Sequence, residues 1–412
     1  MQKVKSVFSP RKLAIWLFVL LLIVTIPEFT KPAMSQTEAL VTLICVDVVD
    51  DQFSLSASVL APGEGKKPTY NFYYAVGETL GDAMDTISLS IGKEMGFSQC
   101  EIMAFGDTLC GKGIISALDF MVRLKKVSRN AMLVNFGGDI KDFSDAMKSL
   151  YTEKQLKIEQ VINFDKQYIL SQDSTIDNFY RGYFSDIGIG MLPKMTVQTE
   201  ETDNAIEVQA QSSDSSGTQS GQSAQGGQEK KLYLSNDGTI GIFKFGKKQM
   251  EIDYETNKNI NLFDNKDYKG ILIINNVTDK LYNDATVVMN ITKTKPKIKV
   301  SFVDGKPNFK LDLTLTMYIE EIVQNQQKSS FMRRNKEFYT DALFSKIKSH
   351  VETELNDAVE LCKTSNLDLL QVYQNFNCFK NKQFKKYLNE VGKDNYLQGV
   401  NFEMNVTIES AY

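Results

Sequence analysis

The chain has 412 residues, which is enough for two or three domains that each bury a core. Its formal net charge is −4, so it lacks the basic excess of a general nucleic-acid-binding protein, and no nucleic-acid partner is expected. Only one long apolar run is present, which excludes a multi-span membrane protein.

The first 35 residues have the composition of an export or anchoring segment. A basic stretch ending at Lys12 precedes an apolar core from Leu13 to Ile26, which is shorter than the roughly 20 residues that usually span a bilayer. Ala33 and Ser35 are small residues at the spacing of a signal-peptide cleavage site. Residues 1–35 are therefore expected to be a cleaved signal peptide or a short retained anchor, with a buried hydrophobic helix as the third alternative. Both leading alternatives place the rest of the chain outside the cytoplasm.

Residues 36–197 are expected to form an N-terminal domain of mixed α and β structure. The pattern predicts a hairpin over 39–60 that turns at Asp50 and Asp51, because period-two alternation flanks the two acidic residues. Strands and helices then alternate, which favours a sheet flanked by helices. The predicted elements are a helix over 79–95, a strand over 100–106, a helix over 111–124, a strand over 130–136 and a helix over 139–150.

Residues 198–230 are rich in Gln, Ser and Gly and contain almost no apolar residues, which predicts a flexible linker. Beyond it, we expect a small β-rich middle domain over 231–292 and a C-terminal α+β domain over 293–412. Strand patterns continue to about residue 322, and the adjacent Glu320 and Glu321 are assigned to the start of a helix. A long helix with an apolar stripe up to Cys362, helices over about 366–374 and 380–391, and a final strand follow.

The expected fold class is therefore α+β, with several domains of mixed sheets flanked by helices and an N-terminal hydrophobic signal or anchor. The sequence contains no motif typical of a catalytic or cofactor-binding site. His350 is the single histidine and is expected at the surface, beside the stripe of the long helix. No nucleophile elbow or phosphate-binding loop matches, so no catalytic residue and no cofactor are predicted.

The five cysteines show no metal-binding spacing, so no metal site is predicted. Cys100 and Cys110 are expected to be too far apart for a disulfide, since they bracket a strand and its turn. Cys362 and Cys378 are the one candidate pair. Buried free thiols are the default expectation for all five.

Four lysines alternate with other residues in the C-terminal region. On a strand, Lys293, Lys295, Lys297 and Lys299 would share one face, and Pro296 among them favours an edge strand. One interpretation is a solvated, protected edge. The other is contact with anionic headgroups or with an acidic face of a partner.

The order of these segments resembles the Ger(x)C family, the C subunit of nutrient germinant receptors in endospore-forming bacteria. "LICVDVVDDQFSLSASVLAPGEGKKPTYNFYYAVGETLGDAM" is similar to the family's opening hairpin, loop and first helix. "CEIMAFGDTLCGKGIISALDFMVRLKKVSRNAMLVNFGGDIKDFSDAM" resembles its strand–helix–strand core. "STIDNFYRGYFSDIGIGMLPKMTV" and "GTIGIFKFGKKQMEIDY" resemble the end of its N-terminal region and the start of its C-terminal region.

The resemblance implies a non-enzymatic protein on the outer face of the spore inner membrane. Its partners would be two integral-membrane receptor subunits and the membrane surface, and no nutrient contact is assigned to this subunit. The family is typically lipidated at an N-terminal cysteine, whereas here Cys45 lies inside the first predicted strand. A secreted hydrolase and an extracytoplasmic solute-binding or structural module are the alternative interpretations.

Overall fold

The computed structural model describes residues 38–61, 69–152, 174–199, 232–236, 238–263, 268–324, 327–329 and 336–411. Within these ranges the chain forms two β-sheets and nine α-helices, so the fold is mixed α and β, as predicted. The predicted signal or anchor segment lies outside the described residues, as does the predicted linker apart from the end of one strand.

The larger sheet has ten strands. They are β1 (Glu38–Val49), β2 (Gln52–Ala61), β3 (Thr69–Gly77), β4 (Glu94–Gly96), β5 (Ile102–Gly106), β6 (Met132–Gly137), β7 (Ile189–Thr199), β8 (Leu232–Ser235), β9 (Ile240–Lys244) and β10 (Lys247–Ile252). The main order is β10-β9-β7-β6-β5-β1-β2-β3, while β4 pairs with β1 and β8 with β7. The central strands β1, β5, β6 and β7 are parallel, which explains their near-continuous apolar sequences.

The predicted opening hairpin is confirmed, because β1 and β2 pair up to Val49 and Gln52. Between them, Asp50 and Asp51 have φ values of 50° and 60°. Positive φ at both central residues is the geometry of the two-residue turns that match the twist of a hairpin. Aspartate tolerates this left-handed conformation better than most residues, so the acidic pair suits the turn.

Five helices cover the two faces of this sheet. They are α1 (Leu80–Ile91), α2 (Asp107–Lys112), α3 (Ile115–Arg123), α4 (Ile140–Thr152) and α5 (Ile176–Tyr183). α1, α2, α3 and α5 contribute buried residues to one face, while α4 supplies the apolar cover of the other. The predicted alternation of strands and helices is therefore confirmed.

Two predicted helices have wrong boundaries. α1 ends at Ile91 and not at residue 95, because Gly92 adopts φ 71° and its N–H caps the carbonyls of Ser88 and Leu89. Met95 is buried as expected, but it lies on β4. The helix predicted over 111–124 is split into α2 and α3 at Gly113, whose φ of 119° cannot continue a helix.

The second sheet has five strands and carries the remaining helices. The strands are β11 (Gly270–Val277), β12 (Ala285–Val303), β13 (Lys306–Gln324), β14 (Gln327–Ser329) and β15 (Asn401–Ser410). The helices are α6 (Tyr254–Asn261), α7 (Asp341–Ser365), α8 (Val372–Phe379) and α9 (Asn381–Val391). The final strand is confirmed: β15 pairs in parallel with β13 along its whole length.

The long helix α7 is confirmed, with a buried stripe that includes Leu343, Val351 and Cys362. Two other assignments near it are wrong. Glu320 and Glu321 do not open a helix but lie within β13, where alternate apolar residues are buried. The next helix starts at Val372 and not near 366, because Asn366 caps α7 in the left-handed conformation.

The strands that follow the predicted linker divide between the two sheets. The strands β8, β9 and β10 complete the larger sheet. Residues 292 and 293 are neighbours inside β12, so the expected boundary between the middle and C-terminal domains falls within one continuous strand.

The strand β9 contributes to two hydrophobic cores. Ile240 and Ile242 are buried in the core beneath the second sheet. Phe243 points to the opposite side, into the core of the larger sheet, where it meets Phe179 edge to face with ring centroids 5.6 Å apart. The larger sheet therefore packs through β9 against the core of the second sheet.

Candidate interaction surface

The four candidate lysines lie where β12 becomes an edge strand. The strand β11 pairs with β12 only as far as Ile291, so from Lys293 onward β13 is the one described strand that pairs with β12. Pro296 sits in this half, where its missing N–H costs no ladder bond on the open side. Within the part of the chain that the structure describes, the lysine stripe, Lys293 to Lys299, thus lies along an open edge of the sheet.

A bulge sets which way the lysines point. The register between β12 and β13 shifts between Ile291 and Lys293, and after that shift the residues with odd numbers turn outward. All four lysines are exposed, while Thr294 and Val300 between and beyond them are buried. The structure therefore brings the four predicted residues together on one face.

The lysine stripe is one side of a polar sheet surface. Lys299 Nζ lies 2.9 Å from Asp312 Oδ2 on β13, and this hydrogen bond lowers the pKa of the aspartate. Lys310 Nζ lies 3.8 Å from Glu403 Oε2 on β15. Positive charge is concentrated on β12 and negative charge on β15. The face-sharing residues are Lys310, Asp312, Thr314 and Thr316 on β13 and Glu403, Asn405, Thr407 and Glu409 on β15.

A second group of charges lies at the carboxyl ends of the parallel strands. Lys194 Nζ on β7 lies 2.7 Å from Glu251 Oε1 and 3.3 Å from Asp107 Oδ2. Lys248 Nζ on β10 pairs with the same two carboxylates, at 2.7 Å from Glu251 Oε1. Asn135, fully buried on β6, donates to Asp107 Oδ1 at 3.0 Å. These five residues form the charge cluster.

The charge cluster is electrically balanced. Burial acts to raise the pKa of Asp107, but hydrogen bonds from Lys248 and Asn135 outweigh it and the pKa is lowered. The pKa of Glu251 is lowered in the same way, against burial, by Lys194 and Lys248. The carboxyl ends of parallel strands are a common ligand site in α/β sheets, yet here two lysines neutralise two carboxylates. The arrangement binds the β9–β10 hairpin to the rest of the sheet.

Sequence reasoning missed the charge cluster because its members are distant in sequence and none forms a motif. Asp107 Oδ1 and Lys248 Nζ meet across 141 positions. The available signals were an aspartate directly after a short buried strand and an asparagine inside an apolar one. Neither signal identifies the lysines that meet them.

A cleft of about 600 Å³ separates α5 from α8. Asp186, which lines the cleft, forms an ion pair in which Lys393 Nζ lies 3.2 Å from Asp186 Oδ1. At its base, Asp368 is buried, and burial raises the pKa of its carboxyl group. Both of its oxygens accept hydrogen bonds, from the N–H groups of Val372 and Tyr373 and the hydroxyl of Tyr396. The buried carboxylate of Asp368 is therefore already satisfied by hydrogen bonds within the protein.

His350, the histidine that sequence reasoning considered for catalysis, pairs with a carboxylate on its own helix. His350 Nε2 lies 3.2 Å from Glu354 Oε1 one turn along the same helix, and this hydrogen bond raises the pKa of the imidazole. In the part of the chain that the structure describes, no group of three His, Cys, Asp or Glu side chains is placed to hold a metal ion.

All five cysteines are free thiols, so the candidate pair of Cys362 and Cys378 is not formed. Burial raises the pKa of Cys100 and of Cys362 to about 12. The expectation of buried thiols holds for four cysteines and is wrong for Cys378, which lies on the solvent side of α8. Among the described residues, no helix combines the length and apolar character needed to cross a bilayer.

These features define a two-sheet protein of mixed α and β structure with a charged, uncovered sheet face. Two family models match the chain in order. The "Spore germination protein N-terminal domain" matches residues 36–197, and "Spore germination B3/ GerAC like, C-terminal" matches residues 239–410. The chain belongs to the GerAC-like family of spore germination proteins, which confirms the resemblance seen in the sequence.

One similar solved structure is described as "Crystal Structure of the GerBC protein". It is 12% identical to this chain, has a TM-score of 0.49, and the superposition covers 90% of this chain and 97% of that one. A comparison with curated protein sequences gave no match. The family match carries no catalytic assignment.

Proposed function

We propose that the protein is a non-enzymatic, extracytoplasmic subunit of a germinant receptor complex that acts in nutrient-triggered spore germination through protein–protein contacts. The observation that carries the proposal is the presence of both family regions in order, over 36–197 and 239–410. Its partners would be integral-membrane receptor subunits, and its place the outer face of the spore inner membrane.

The uncovered sheet face offers a surface for such contacts. Lysines at a free edge repel edge-to-edge pairing with a second copy, which keeps the sheet from extending. The same lysines attract an acidic partner face or anionic headgroups. The lysine stripe is therefore proposed as the contact with the membrane or with a membrane-bound partner.

Gene deletion followed by complementation tests the receptor role. Deletion should abolish or strongly slow the response of spores to at least one nutrient, measured as the loss of optical density on germination, and the intact gene should restore it. Unchanged germination with every nutrient tested would refute the receptor role. A hydrolytic activity of the purified protein that is lost on changing a single carboxylate would favour the hydrolase interpretation instead.

A separate variant tests whether the lysine stripe makes the proposed contact. Lys293→Glu, Lys295→Glu and Lys297→Glu are combined, while Lys299 is kept because it pairs with Asp312. The triple variant should be released from spore membranes at a lower salt concentration than the wild type. A matched control reverses three exposed lysines of the larger sheet region: Lys93, Lys126 and Lys247. Equal release of both variants would refute a specific contact.

Mass analysis of the N-terminus of the native protein would show whether residues 1–35 are retained.

A further inference from the structure

The turn between α8 and α9 projects an aromatic side chain into solvent. Phe379 is the last residue of α8 and is 72% exposed, although phenylalanine is usually buried. The inner sides of both helices are firmly packed: Phe376 and Phe384 stack with ring centroids 5.2 Å apart, and Phe376 meets Phe302 of β12 at 5.5 Å. Phe379 is thus held outward by a rigid support.

Four exposed lysines follow this aromatic residue closely in the chain. Residues 378–389 contain four lysines and no Asp or Glu, in a chain whose net charge is −4. In α9, Phe384 and Tyr387 face the core while Lys382, Lys385 and Lys386 face solvent. None of the four lysines forms an ion pair with another residue that the structure describes. The Phe379 corner, as we call it, consists of Phe379, Lys380, Lys382, Lys385 and Lys386.

This combination is typical of surfaces that meet a lipid bilayer. An aromatic ring inserts at the level of the headgroups, while lysines beside it are attracted by the negative potential of anionic lipids. The cavities described in the structure are lined by other residues. A basic corner with an exposed ring, outside these cavities, fits a broad anionic surface better than it fits a small ligand.

We propose that the Phe379 corner contacts the anionic surface of a lipid bilayer, with Phe379 inserted among the headgroups. This proposal rests on the membrane location in the proposed function and deepens it, because it names a contact surface distinct from the lysine stripe. The lysine stripe lies on the outward face of β12, whereas α8 and α9 pack on the inward side of that strand.

The chain carries a convenient site for a local probe. Cys378 is the one exposed cysteine among five, and it adjoins Phe379. The other four thiols are buried, so a polarity-sensitive fluorophore should label Cys378 selectively. The labelled full-length chain is mixed with vesicles of phosphatidylcholine alone or of phosphatidylcholine with 30% phosphatidylglycerol. Because the probe reports only on its surroundings, membrane attachment through another segment does not mask the result.

The anionic vesicles should shift the fluorophore emission to the blue, and the neutral vesicles should not. Phe379→Ser, and separately the combined Lys382→Glu, Lys385→Glu and Lys386→Glu, should each raise the lipid concentration for half-maximal shift at least roughly tenfold. The Lys93, Lys126 and Lys247 reversal should leave it unchanged. Sodium chloride at 0.5 M should weaken the response, because it screens exposed charges.

Two outcomes would overturn the proposal. The first is that anionic vesicles leave the emission unshifted although the labelled protein is folded, as shown by the same thermal unfolding as the unlabelled chain. The second is a shift that requires added integral-membrane receptor subunits, which would make the corner a protein contact. Either result leaves the germination phenotype of the deletion intact, so failure of this inference and failure of the proposed function are distinguishable.

Discussion

At the scale of single residues, the approach of α5 to β7 depends on a glycine. A Cβ atom added at Gly182 would lie 2.0 Å from the carbonyl oxygen of Ile189, which is backbone and cannot turn aside. The ring of Phe179 similarly lies over Gly190, where an added Cβ would come within 2.6 Å. The glycines let the helix lie directly on the strand and form one wall of the cleft.

Gly182→Ala should therefore destabilise the protein by about 2–3 kcal/mol, because α5 must move away from β7. Gly111→Ala is the matched control, since it is also a helical glycine and has no atoms within 4 Å of the added Cβ. It should stabilise by roughly 0.5–1 kcal/mol through its higher helix propensity. Urea unfolding followed by circular dichroism measures both, and equal stabilities for the two variants would contradict the close packing of α5.

At the scale of elements, the charge cluster joins β10 to β7, β6 and the start of α2. Asp107 and Glu251 have lowered pKa values in the folded protein, whereas their pKa values in the unfolded chain are about 4. A carboxylate whose pKa is lowered by folding stabilises the folded state at pH values above its pKa in the unfolded chain. That contribution is lost as the pH falls through that value toward the lower folded pKa.

Asp107→Asn tests this linkage with little change in shape. At pH 7 the variant should be less stable by about 1 kcal/mol, a modest value because the carboxylate is partly exposed and its ion pairs are screened. The difference from the wild type should shrink as the pH is lowered from 6 to 3, measured by urea unfolding at each pH. Asp119→Asn, in an exposed pair with Arg123 on α3, is the control and should show little effect at any pH. A difference that grows on acidification would refute the assignment.

At the scale of the whole molecule, the two regions matched by the family models share structure. The second matched region begins at residue 239, yet its first strands, β9 and β10, complete the larger sheet. Because β9 places Ile242 in one core and Phe243 in the other, unfolding of either region exposes apolar surface of its neighbour. The two regions are therefore expected to unfold together.

Phe243→Ala should destabilise the chain by about 3–5 kcal/mol, since it empties a fully buried ring position. Hydrogen exchange followed by mass spectrometry should then show protection falling in peptides from both β1 and β13. Val59→Ala is the companion variant: this residue lies on β2 in the core of the larger sheet alone, and joint unfolding should lower protection in both peptides here too. Loss of protection confined to β1 in the Phe243 variant would show that the regions unfold independently.

Local patterns were enough to predict many elements. The alternation around Asp50 and Asp51 predicted the first hairpin, and the apolar stripe predicted α7, because side-chain periodicity reflects which face is buried. The segment order predicted the family. Boundaries that depend on backbone conformation were missed at Gly92 and Gly113, since a helical apolar pattern can continue past a residue that ends the helix.

The sequence by itself determined that strands and helices alternate after residue 36, that four lysines share one strand face, and that the chain resembles a germination protein. Only the tertiary structure decided that β9 joins two cores, that Lys194 and Lys248 meet Asp107 and Glu251, and that Phe379 is held in solvent. The physical reason is the distance along the chain over which each interaction acts. Periodicity and turn chemistry act over a few neighbouring residues, whereas ion pairs, shared strands and exposure depend on which distant segments pack together.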